Sequence, residues 1–389
     1  MKNVGVVTGT RAEFGILQPL LRKLNLEADL TLRLYVTGAH LSSAQGETVS
    51  EIEMTGLPIA ARVPILDEAL APRDIATAMG RALTGFADVY ASETPDLLIV
   101  LGDRYEILAA AAAAVPFNLR LLHLQGGELT VGSNDERFRH ALTKLSHYHA
   151  VATETYRHRV LQLGERPENV RVTGALGLDA MRHLKPLTRE QLEKQFQLNL
   201  SSPPLLVTFH PSSTSPESSR AELESVLDAL RLVDGLVVLT GANADARGDD
   251  YNRRLREFAS ERPQTFFVAS LGSQAYWSLM MHSAALVGNS SSGIIEAASV
   301  PIPAVNIGTR QSGRIRPRNV VDAEASRDGI VAAIRKATDA KFRDSLAGLQ
   351  NPYGDGCATE HILAFIRDIL AANDGPEKNF YDLPDLGVK

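Results

Sequence analysis

Carboxylates and a histidine lie where a parallel sheet would bring them to one edge. Asp103 and Glu128 follow the short aliphatic runs Leu97–Leu101 and Leu121–Leu124, and His210 follows a later run. Ligands bind beyond the carboxyl ends of parallel strands, so we expect these side chains to face a bound molecule. Carboxyl and imidazole groups exchange protons, which indicates acid–base chemistry. Each residue also has a structural interpretation, Asp103 as a helix cap and His210 as a packed side chain.

A third carboxylate opens a predicted helix. The segment Asp135-Glu136-Arg137-Phe138-Arg139-His140 places acidic residues in a first helical turn. The helix dipole favours carboxylates in the first turn of any helix, so the position of Asp135 alone does not indicate a site. Asp135 is a site candidate because Asp103 and Glu128 are candidates too. Before it, Gly126-Gly127 would let the backbone approach a ligand closely, with a flexible turn as the alternative.

Two loops have residues that suit a phosphate. One strand ends in Gly9-Thr10-Arg11-Ala12-Glu13 and a later one in Gly288-Asn289-Ser290-Ser291-Ser292-Gly293. We expect each loop to lead into a helix, whose first N–H groups attract anions. The hydroxyls of Ser290 and Ser291 add donors, which predicts a diphosphate cradle, with a solvated loop as the alternative. Glu296, in the second predicted helix, would accept hydrogen bonds from two ribose hydroxyls.

Polar groups follow two further strands. Asn243 lies in Gly241-Ala242-Asn243, and Arg310 lies in the glycine-punctuated loop Gly308-Thr309-Arg310-Gln311-Ser312-Gly313-Arg314. Guanidinium groups bind phosphate through several N–H donors, so this loop suits a charged group on the same ligand.

The composition excludes several classes of protein. The chain has 389 residues, 44% of them hydrophobic, and a formal net charge of −6, so it has no overall positive field for nucleic acid or an anionic membrane. Its most apolar stretch, around Ile107 to Val115, is far shorter than the roughly 20 residues that span a membrane. The single cysteine, Cys357, cannot form an intrachain disulfide, and no secretory leader opens the chain. We therefore expect a cytoplasmic protein.

Short strands alternate with helical segments along the chain, which predicts parallel sheets covered by helices on both faces. The predicted strands are Val4–Thr8, Leu32–Val36, Leu97–Leu101, Leu121–Leu124, His149–Thr153, Val170–Thr173, Leu205–Phe209, Leu236–Thr240, Thr265–Val268, Ala284–Val287 and Ala304–Ile307. Because a domain usually has about 100 to 200 residues, we expect an α/β protein of two Rossmann-like, doubly wound domains with a cleft between them. The predicted domains are 1–185 and 186–370, followed by a surface tail, 371–389.

In their order and spacing, the motifs resemble the hydrolysing UDP-N-acetylglucosamine 2-epimerases of bacterial sialic acid pathways. The resemblance extends from Gly9 to about Gly356 and rests on Gly9-Thr10-Arg11-Ala12-Glu13, Gly102-Asp103-Arg104, Gly126-Gly127-Glu128, Arg139-His140, Gly288-Asn289-Ser290-Ser291 and Gly308-Thr309-Arg310-Gln311. It implies a GT-B-like fold, with catalysis at the N-terminal domain, nucleotide binding at the C-terminal domain, and a homodimer formed through the N-terminal domain. The implied partner is a small nucleotide sugar.

The resemblance also implies a reaction. C2 of N-acetylglucosamine does not adjoin a carbonyl, so its proton cannot simply be removed and returned. The implied route is anti elimination of UDP to 2-acetamidoglucal, followed by addition of water to give N-acetylmannosamine. The implied acid–base candidates are Asp103, Glu128, Asp135 and His210, and the implied substrate-binding residues are Arg11, Arg104, Asn243, Ser290, Ser291, Glu296 and Arg310. We expect neither a cofactor nor a metal, because Arg11, Arg310 and the cradle can neutralise a departing diphosphate.

Gln125 stands where many relatives carry glutamate. An amide cannot act as a general base, so we expect Gln125 to hydrogen-bond the sugar, or the substrate to differ. Three alternatives stay open: a relative acting on a UDP- or GDP-linked 2,4-diacetamido-trideoxyhexose of the legionaminic acid type, a GT-B glycosyltransferase, and a sugar-nucleotide sensor without activity. The carboxylate trio disfavours the transferase, because inverting transfer needs only one base.

Overall fold

Runs of buried aliphatic residues form the strands of two parallel sheets. The computed structural model describes residues 1–43, 47–66, 71–130, 134–182, 184–211, 216–241, 248–372 and 377–384. In these ranges the strands are β1 (Lys2–Thr8), β2 (Leu30–Thr37), β3 (Ile59–Val63), β4 (Leu97–Leu101), β5 (Leu121–Leu124), β6 (Tyr148–Val151), β7 (Val170–Val172), β8 (Leu205–Thr208), β9 (Val237–Thr240), β10 (Thr265–Val268), β11 (Ala285–Gly288), β12 (Ala304–Ile307) and β13 (Val320–Ala323). Central strands such as β4 are buried throughout, because helices cover both faces of the sheet.

The helices are mostly amphipathic. They are α1 (Arg11–Leu26), α2 (Val49–Glu53), α3 (Pro72–Ser92), α4 (Tyr105–Ala114), α5 (Asn134–Leu145), α6 (Glu154–Gln162), α7 (Gly177–Arg182), α8 (Arg189–Phe196), α9 (Pro216–Arg231), α10 (Gly248–Glu261), α11 (Gly272–Met281), α12 (Arg327–Thr338), α13 (Ala340–Asp344) and α14 (Ala358–Ala371). In α1 the buried residues Leu17, Leu20, Leu21 and Leu24 recur at the spacing of one helical face. Within the described part of the chain, no helix combines the length and hydropathy needed to cross a membrane.

Each sheet reverses its strand order at the middle. The first sheet has the order β3-β2-β1-β4-β5-β6-β7, and the second has the order β10-β9-β8-β11-β12-β13. All paired strands run parallel; in β1, for example, Val4 pairs with Leu32 on one side and Leu97 on the other. The reversals between β1 and β4, and between β8 and β11, are the points where doubly wound sheets bind ligands. The predicted fold class of two doubly wound α/β domains is confirmed.

The two strands that the sequence did not predict, β3 and β13, lie at the edges of the sheets. In β3 the first four residues alternate between partly buried and exposed and only Val63 is buried, and in β13 one residue of four is buried. Edge strands need not be apolar on both faces, so neither strand contains a continuous aliphatic run.

The chain divides into two compact units. Unit 1 comprises Met1–Glu128, Asn134–Ala180 and Tyr353–Lys389, and unit 2 comprises Leu129–Ser133 and Met181–Pro352. The predicted second domain, 186–370, differs from this division at its C-terminal end, because α14 belongs to unit 1. The apolar residues of α14, among them Ile362 and Ile366, share a core with α1, and the Asp179 carboxylate accepts the N–H of Ala358 at 2.9 Å.

The described part of the tail lies against unit 1. The N–H of Tyr381 donates to the carbonyl of Gly164 at 2.9 Å, and the Lys378 ammonium pairs with the buried Glu165 carboxylate. A Cβ built on Gly164 would come within 2.4 Å of the Phe380 ring, so the tail ring lies directly on this glycine.

Candidate active site

A capping box shapes the turn after β1. Thr10 caps α1 by accepting the N–H of Glu13 at 3.3 Å, and the Glu13 carboxylate accepts the N–H groups of Gly9 at 3.0 Å and Thr10 at 3.1 Å. The spacing Thr-x-x-Glu is the sequence signature of this turn. The turn places Arg11 at the first position of α1, where its side chain is 72% exposed and pairs with Glu51 at 3.0 Å.

Arg139 connects two of the carboxylate candidates in unit 1. Arg139 lies on α5, one turn after Asp135. The Arg139 Nη2 forms an ion pair with Asp103, and the Arg139 Nη1 donates to the backbone carbonyl of Glu128 at 3.1 Å. The Arg139 side chain is only 4% exposed, so water screens this pair weakly. Asp103 does not act as a side-chain cap of α4, whose N-cap residue is Arg104.

The carboxylates of Glu128 and Asp135 act on Asp103. Burial is the main reason that the pKa of Asp103 is raised, and the charges of Asp135 and Glu128 raise it further. Arg139 and Arg104 act in the opposite direction. Asp103 therefore retains its proton to higher pH than an exposed aspartate, which suits a group that both donates and accepts a proton.

The loop after β5 has an unusual backbone. Gln125 has φ of 62°, in the left-handed region that residues other than glycine seldom occupy. Two residues later, Gly127 has φ of 78°, and a Cβ there would lie 2.4 Å from the Tyr156 carbonyl oxygen. Only glycine fits at this position, which explains Gly127, the second glycine of the pair that precedes the buried Glu128.

His123, on β5, contacts the residues that follow β4 and the helix α5. Its Nε2 lies 2.8 Å from the Gly102 carbonyl and its Nδ1 lies 3.2 Å from the Thr143 hydroxyl. Burial lowers its pKa to about 3, so the ring is neutral at physiological pH. His123 thus joins the end of β4 to β5 and α5, the elements that carry the three carboxylates.

In unit 2, His210 is held through its backbone by Asn289. The His210 N–H donates to Asn289 Oδ1, and Asn289 Nδ2 donates to the His210 carbonyl. The histidine is buried, and burial together with the charge of Arg310 lowers its pKa to about 4. His210 is therefore neutral at pH 7 and can accept a proton.

The loop after β12 forms hydrogen bonds with Asn289 as well. Arg310 Nη1 donates to the Asn289 carbonyl at 3.0 Å, and Gln311 Nε2 donates to it at 2.9 Å. Asn289 therefore contacts the loops that follow β8 and β12.

The predicted cradle lies after β11 and is built from hydroxyls. Gly288 has φ of 142°, and a Cβ there would lie 1.9 Å from the Thr208 carbonyl oxygen, so the strand end requires glycine. Ser292 donates to the Ser290 hydroxyl at 3.0 Å, and the Tyr276 hydroxyl lies 2.7 Å from Ser292. Thr208, Tyr276 and Ser290 line a pocket in this unit.

The prediction of a helix after this loop is wrong. Ser291–Gly293 and Ala297–Ser299 form two short 3-10 turns. Gly293 and the nearby Pro301 and Pro303 disfavour a longer helix, because glycine costs backbone entropy and proline cannot donate. A helix dipole therefore does not contribute to the cradle, and donors from hydroxyls and single N–H groups remain.

Glu296 follows the first of these turns and is partly buried. Its Oε2 is buried without a hydrogen-bond partner among the described residues, and burial raises its pKa while Arg314 opposes the rise. An unpartnered carboxylate oxygen is available to accept a hydroxyl from a ligand. Ser291 lies in the same loop, whereas Asn243 lies outside the described residues.

Comparison with known proteins identifies the family. The sequence profile of the UDP-N-acetylglucosamine 2-epimerases matches residues 22–367 of this chain. The chain belongs to this family. Polysialic acid biosynthesis protein P7 of Escherichia coli is 35% identical over 387 residues, which cover 99% of this chain and 98% of that protein. The UDP-N,N'-diacetylbacillosamine 2-epimerase (hydrolyzing) of Legionella pneumophila is 35% identical over 370 residues, which cover 95% of this chain and 96% of that protein.

The fold of this epimerase-family chain also matches a solved structure. The UDP-GlcNAc 2-epimerase of Neisseria meningitidis bound to UDP-GlcNAc aligns with a TM-score of 0.80 at 19% identity, over 94% of this chain and 100% of that one. At this identity the likeness shows the fold alone. The family and the fold inferred from the sequence motifs are both confirmed.

Three residues that contact the candidate site were not assigned a role from the sequence. Arg139 had a usable signal, because it stands four residues after Asp135 and therefore on the same helical face. Asn289 was part of a recognised motif, but its side chain binds a backbone distant in sequence. Tyr276 had no signal, since an aromatic residue on a helix usually belongs to the core.

Proposed function

We propose that this chain is a hydrolysing UDP-N-acetylglucosamine 2-epimerase, which converts its substrate into N-acetylmannosamine and UDP. The observation that supports this most is the group of Asp103, Glu128 and Asp135, in which Arg139 contacts the Asp103 carboxylate and the Glu128 backbone and the other two charges raise the pKa of Asp103. A single general base would suffice for inverting transfer of a sugar, whereas an elimination followed by a hydration needs proton removal and proton delivery.

The reaction proceeds in two balanced steps. A base removes the proton from C2 while the C1–O bond breaks and UDP leaves with its electron pair, which gives 2-acetamidoglucal. A base then takes a proton from water as the water oxygen bonds to C1, and an acid delivers a proton to C2 on the face opposite to the one that lost its proton, which gives N-acetylmannosamine. Asp103, Glu128 and Asp135 provide the acid and base groups, and neutral His210 accepts or relays a proton.

The nucleotide is assigned to unit 2 and the sugar to unit 1. Ser290, Ser291 and Arg310 bind the diphosphate, Glu296 accepts the ribose hydroxyls, and Asn243 contacts the nucleoside. In unit 1, Arg104 and Gln125 bind the sugar, and Arg11 supplies a further cation for the phosphates. The exposed guanidinium of Arg11 and the unpartnered oxygen of Glu296 support two of these assignments.

A second candidate substrate is a UDP-linked 2,4-diacetamido sugar. The relative from Legionella pneumophila that is named for UDP-N,N'-diacetylbacillosamine is 35% identical to this chain over nearly its full length. The two substrates differ at C4 of the sugar, a hydroxyl against an acetamido group, and at C6, a hydroxymethyl against a methyl group, and the elimination at C1 and C2 is the same for both. Gln125 has an amide that both donates and accepts hydrogen bonds, and we assign to it the discrimination between the two sugars.

One experiment tests both the reaction and the substrate. The purified protein is incubated in D2O with UDP-N-acetylglucosamine and, separately, with the UDP- and GDP-linked diacetamido sugars, and products are followed by proton NMR. We expect UDP release and a free 2-epimeric sugar with deuterium at C2, fastest with UDP-N-acetylglucosamine. A product that keeps its original C2 proton would exclude elimination, and a faster diacetamido reaction would establish the second candidate.

Amide variants test the three carboxylates. Asp103→Asn, Glu128→Gln and Asp135→Asn preserve shape but remove a titratable group, so each should fold and lose on the order of 10² to 10⁴ in rate. Asp29→Asn, on the surface of the same unit, is the matched control and should retain wild-type activity. Accumulation of 2-acetamidoglucal in one variant would assign that residue to the hydration step. Full activity in all three variants would exclude this site.

We further propose that the protein is a cytoplasmic homodimer formed through unit 1. Leu83 on α3 and Val115 after α4 expose apolar side chains on neighbouring elements of that unit. Sedimentation velocity at several protein concentrations measures the mass, and a monomer at all of them would contradict the homodimer.

A further inference from the structure

Glu13 and Glu106 place two carboxyl groups against one glycine at the end of β1. Glu13 Oε2 accepts the Gly9 N–H at 3.0 Å, and a Cβ built on Gly9 would come within 2.6 Å of Glu106 Oε1. Glu13 is 8% exposed and Glu106 is fully buried. Two carboxyl groups therefore share a small region that is shielded from water.

In the described part of the chain, the cation paired with these carboxyl groups is Arg104, whose Nε donates to Glu106 Oε1 at 2.6 Å. Two oxygens, Glu13 Oε1 and Glu106 Oε2, are buried without a hydrogen-bond partner among the described residues. If both carboxyl groups were ionised, one guanidinium would leave an uncompensated buried negative charge, which is strongly unfavourable. The pair is therefore expected to keep one proton.

We propose that Glu13 is a positioning residue that acts as a neutral carboxylic acid. Its carbonyl oxygen accepts the N–H groups of Gly9 and Thr10 and so fixes the turn that carries Arg11, while ionised Glu106 fixes Arg104. Arg11 and Arg104 both bind substrate in the proposed function. The inference rests on that function for the identity of the ligand that these two arginines bind. The protonated state of Glu13 concerns the protein without any ligand.

The surrounding charges agree with this assignment. Burial and the Glu106 charge raise the pKa of Glu13 from 4.5 to about 8, Asp103 adds to the rise, and Arg104 and the Gly9 N–H oppose it. His40, in the loop after β2, packs near Phe14 with ring centroids 6.1 Å apart, and burial lowers its pKa to about 4, so it is uncharged. The folded state thus binds a proton that the unfolded chain releases between about pH 4.5 and 8, and this stabilisation weakens as pH rises through that window.

Substitution separates a neutral acid from a carboxylate. Glu13→Gln cannot ionise but keeps the accepting oxygen, so kcat/KM at pH 7 should stay within about threefold of wild type. Its activity should fall less than that of the wild type between pH 7 and 9. Glu13→Ala frees the turn and should lower kcat/KM about tenfold or more, chiefly through KM, because the loss concerns binding by the arginines. Glu53→Gln, an exposed site in the same unit, is the matched control.

A substrate-free measurement completes the test. Infrared spectra of the full-length wild type and of each variant are recorded at pH 7 and subtracted. The wild type should show the carbonyl band of a protonated carboxylic acid, which disappears in Glu13→Gln and persists in Glu53→Gln. The band should fade as pH passes about 8. Equal impairment of Glu13→Gln and Glu13→Ala, or no band removed by Glu13→Gln, would overturn the inference. Because the spectrum needs no substrate, it remains decisive even if every nucleotide sugar proves inactive.

Discussion

Asn289 and His210 are joined by two hydrogen bonds that run in opposite directions. The His210 N–H lies 2.7 Å from Asn289 Oδ1, and Asn289 Nδ2 lies 2.9 Å from the His210 carbonyl. Both of these bonds use the Asn289 side chain. The backbone carbonyl of Asn289 accepts hydrogen bonds from the side chains of Arg310 and Gln311. A single buried amide therefore aligns the candidate histidine with the cationic loop.

This alignment predicts a specific effect of Asn289→Asp. The carboxylate keeps the bond from the His210 N–H but places an oxygen against the His210 carbonyl, so about 1 to 3 kcal/mol of stability should be lost. The added negative charge near His210 should raise its pKa. Denaturant unfolding and the proton NMR titration of His210 measure the two effects, with Asn118→Asp on the surface as the control. An unchanged histidine titration would show that Asn289 does not control this residue.

His210 itself should titrate far below a free histidine. Its pKa of about 4 means that its neutral form is favoured in the folded protein, and this contribution is present above pH 6.5 and lost as pH falls toward 4. Burial is the larger cause, so Arg310→Met should raise the midpoint only in part. Arg327→Met, an exposed arginine of the same unit, should not move it. A wild-type midpoint near 6.5 by NMR would contradict the buried position.

Arg139 should set the pH at which Asp103 ionises. Replacing it with methionine removes a charge that lowers the Asp103 pKa, so that pKa should rise further and the acidic limb of kcat/KM should move to higher pH. Arg139→Lys keeps the charge but cannot make both contacts, so its limb should stay near wild type while the rate falls. Identical pH profiles for all three proteins would exclude this role.

Glu296→Ala should weaken UDP binding more than it affects the chemical step. The residue offers an unpartnered carboxylate oxygen, and loss of a charged hydrogen bond costs about 1.5 to 3 kcal/mol, or roughly 10- to 100-fold in Kd. Titration calorimetry with UDP measures this directly, with Glu324→Ala as an exposed control in the same unit. Equal Kd values for the two variants would remove Glu296 from the nucleotide site.

Chelation should leave turnover unchanged. Arg310 and the hydroxyls of Ser290 and Ser291 can stabilise the charge that develops on a departing diphosphate, and such preorganised donors substitute for a cation. Activity is compared after exhaustive dialysis against EDTA and after return of Mg2+ or Mn2+. Loss of activity that either ion restores would establish a metal requirement.

Most of the sheet could be predicted because parallel strands between helices are apolar on both faces. The eleven predicted strands correspond to observed strands with ends shifted by at most two residues, as for His149–Thr153 against β6 at Tyr148–Val151. β3 and β13 were missed because edge strands carry exposed residues. The helix expected after Ser291 does not form, since local glycine and proline outweigh the resemblance to other phosphate loops.

The candidate site could be predicted at the strand ends but not beyond them. Asp103, Glu128 and His210 were indicated by their position after aliphatic runs, which is local in sequence. The roles of Arg139 toward Asp103 and of Glu13 toward Glu106 depend on side chains brought together by folding, at separations of 36 and 93 residues. The spacing of Arg139 from Asp135 indicates a shared helical face, but no periodicity or local composition reveals Asp103 as its partner or Glu106 as the neighbour of Glu13.

The assignment of α14 to unit 1 has a consequence for biosynthesis. Unit 2 is an insertion within unit 1, and all of its strands and helices have been synthesised by Pro352. Unit 1 lacks the helix that packs on α1 until the chain reaches Ala371, although its first strand is made at the start. Domains usually fold as they emerge from the ribosome. The inserted unit can therefore fold before the unit that surrounds it in sequence, and a chain that stops before α14 would leave exposed the part of α1 that α14 covers.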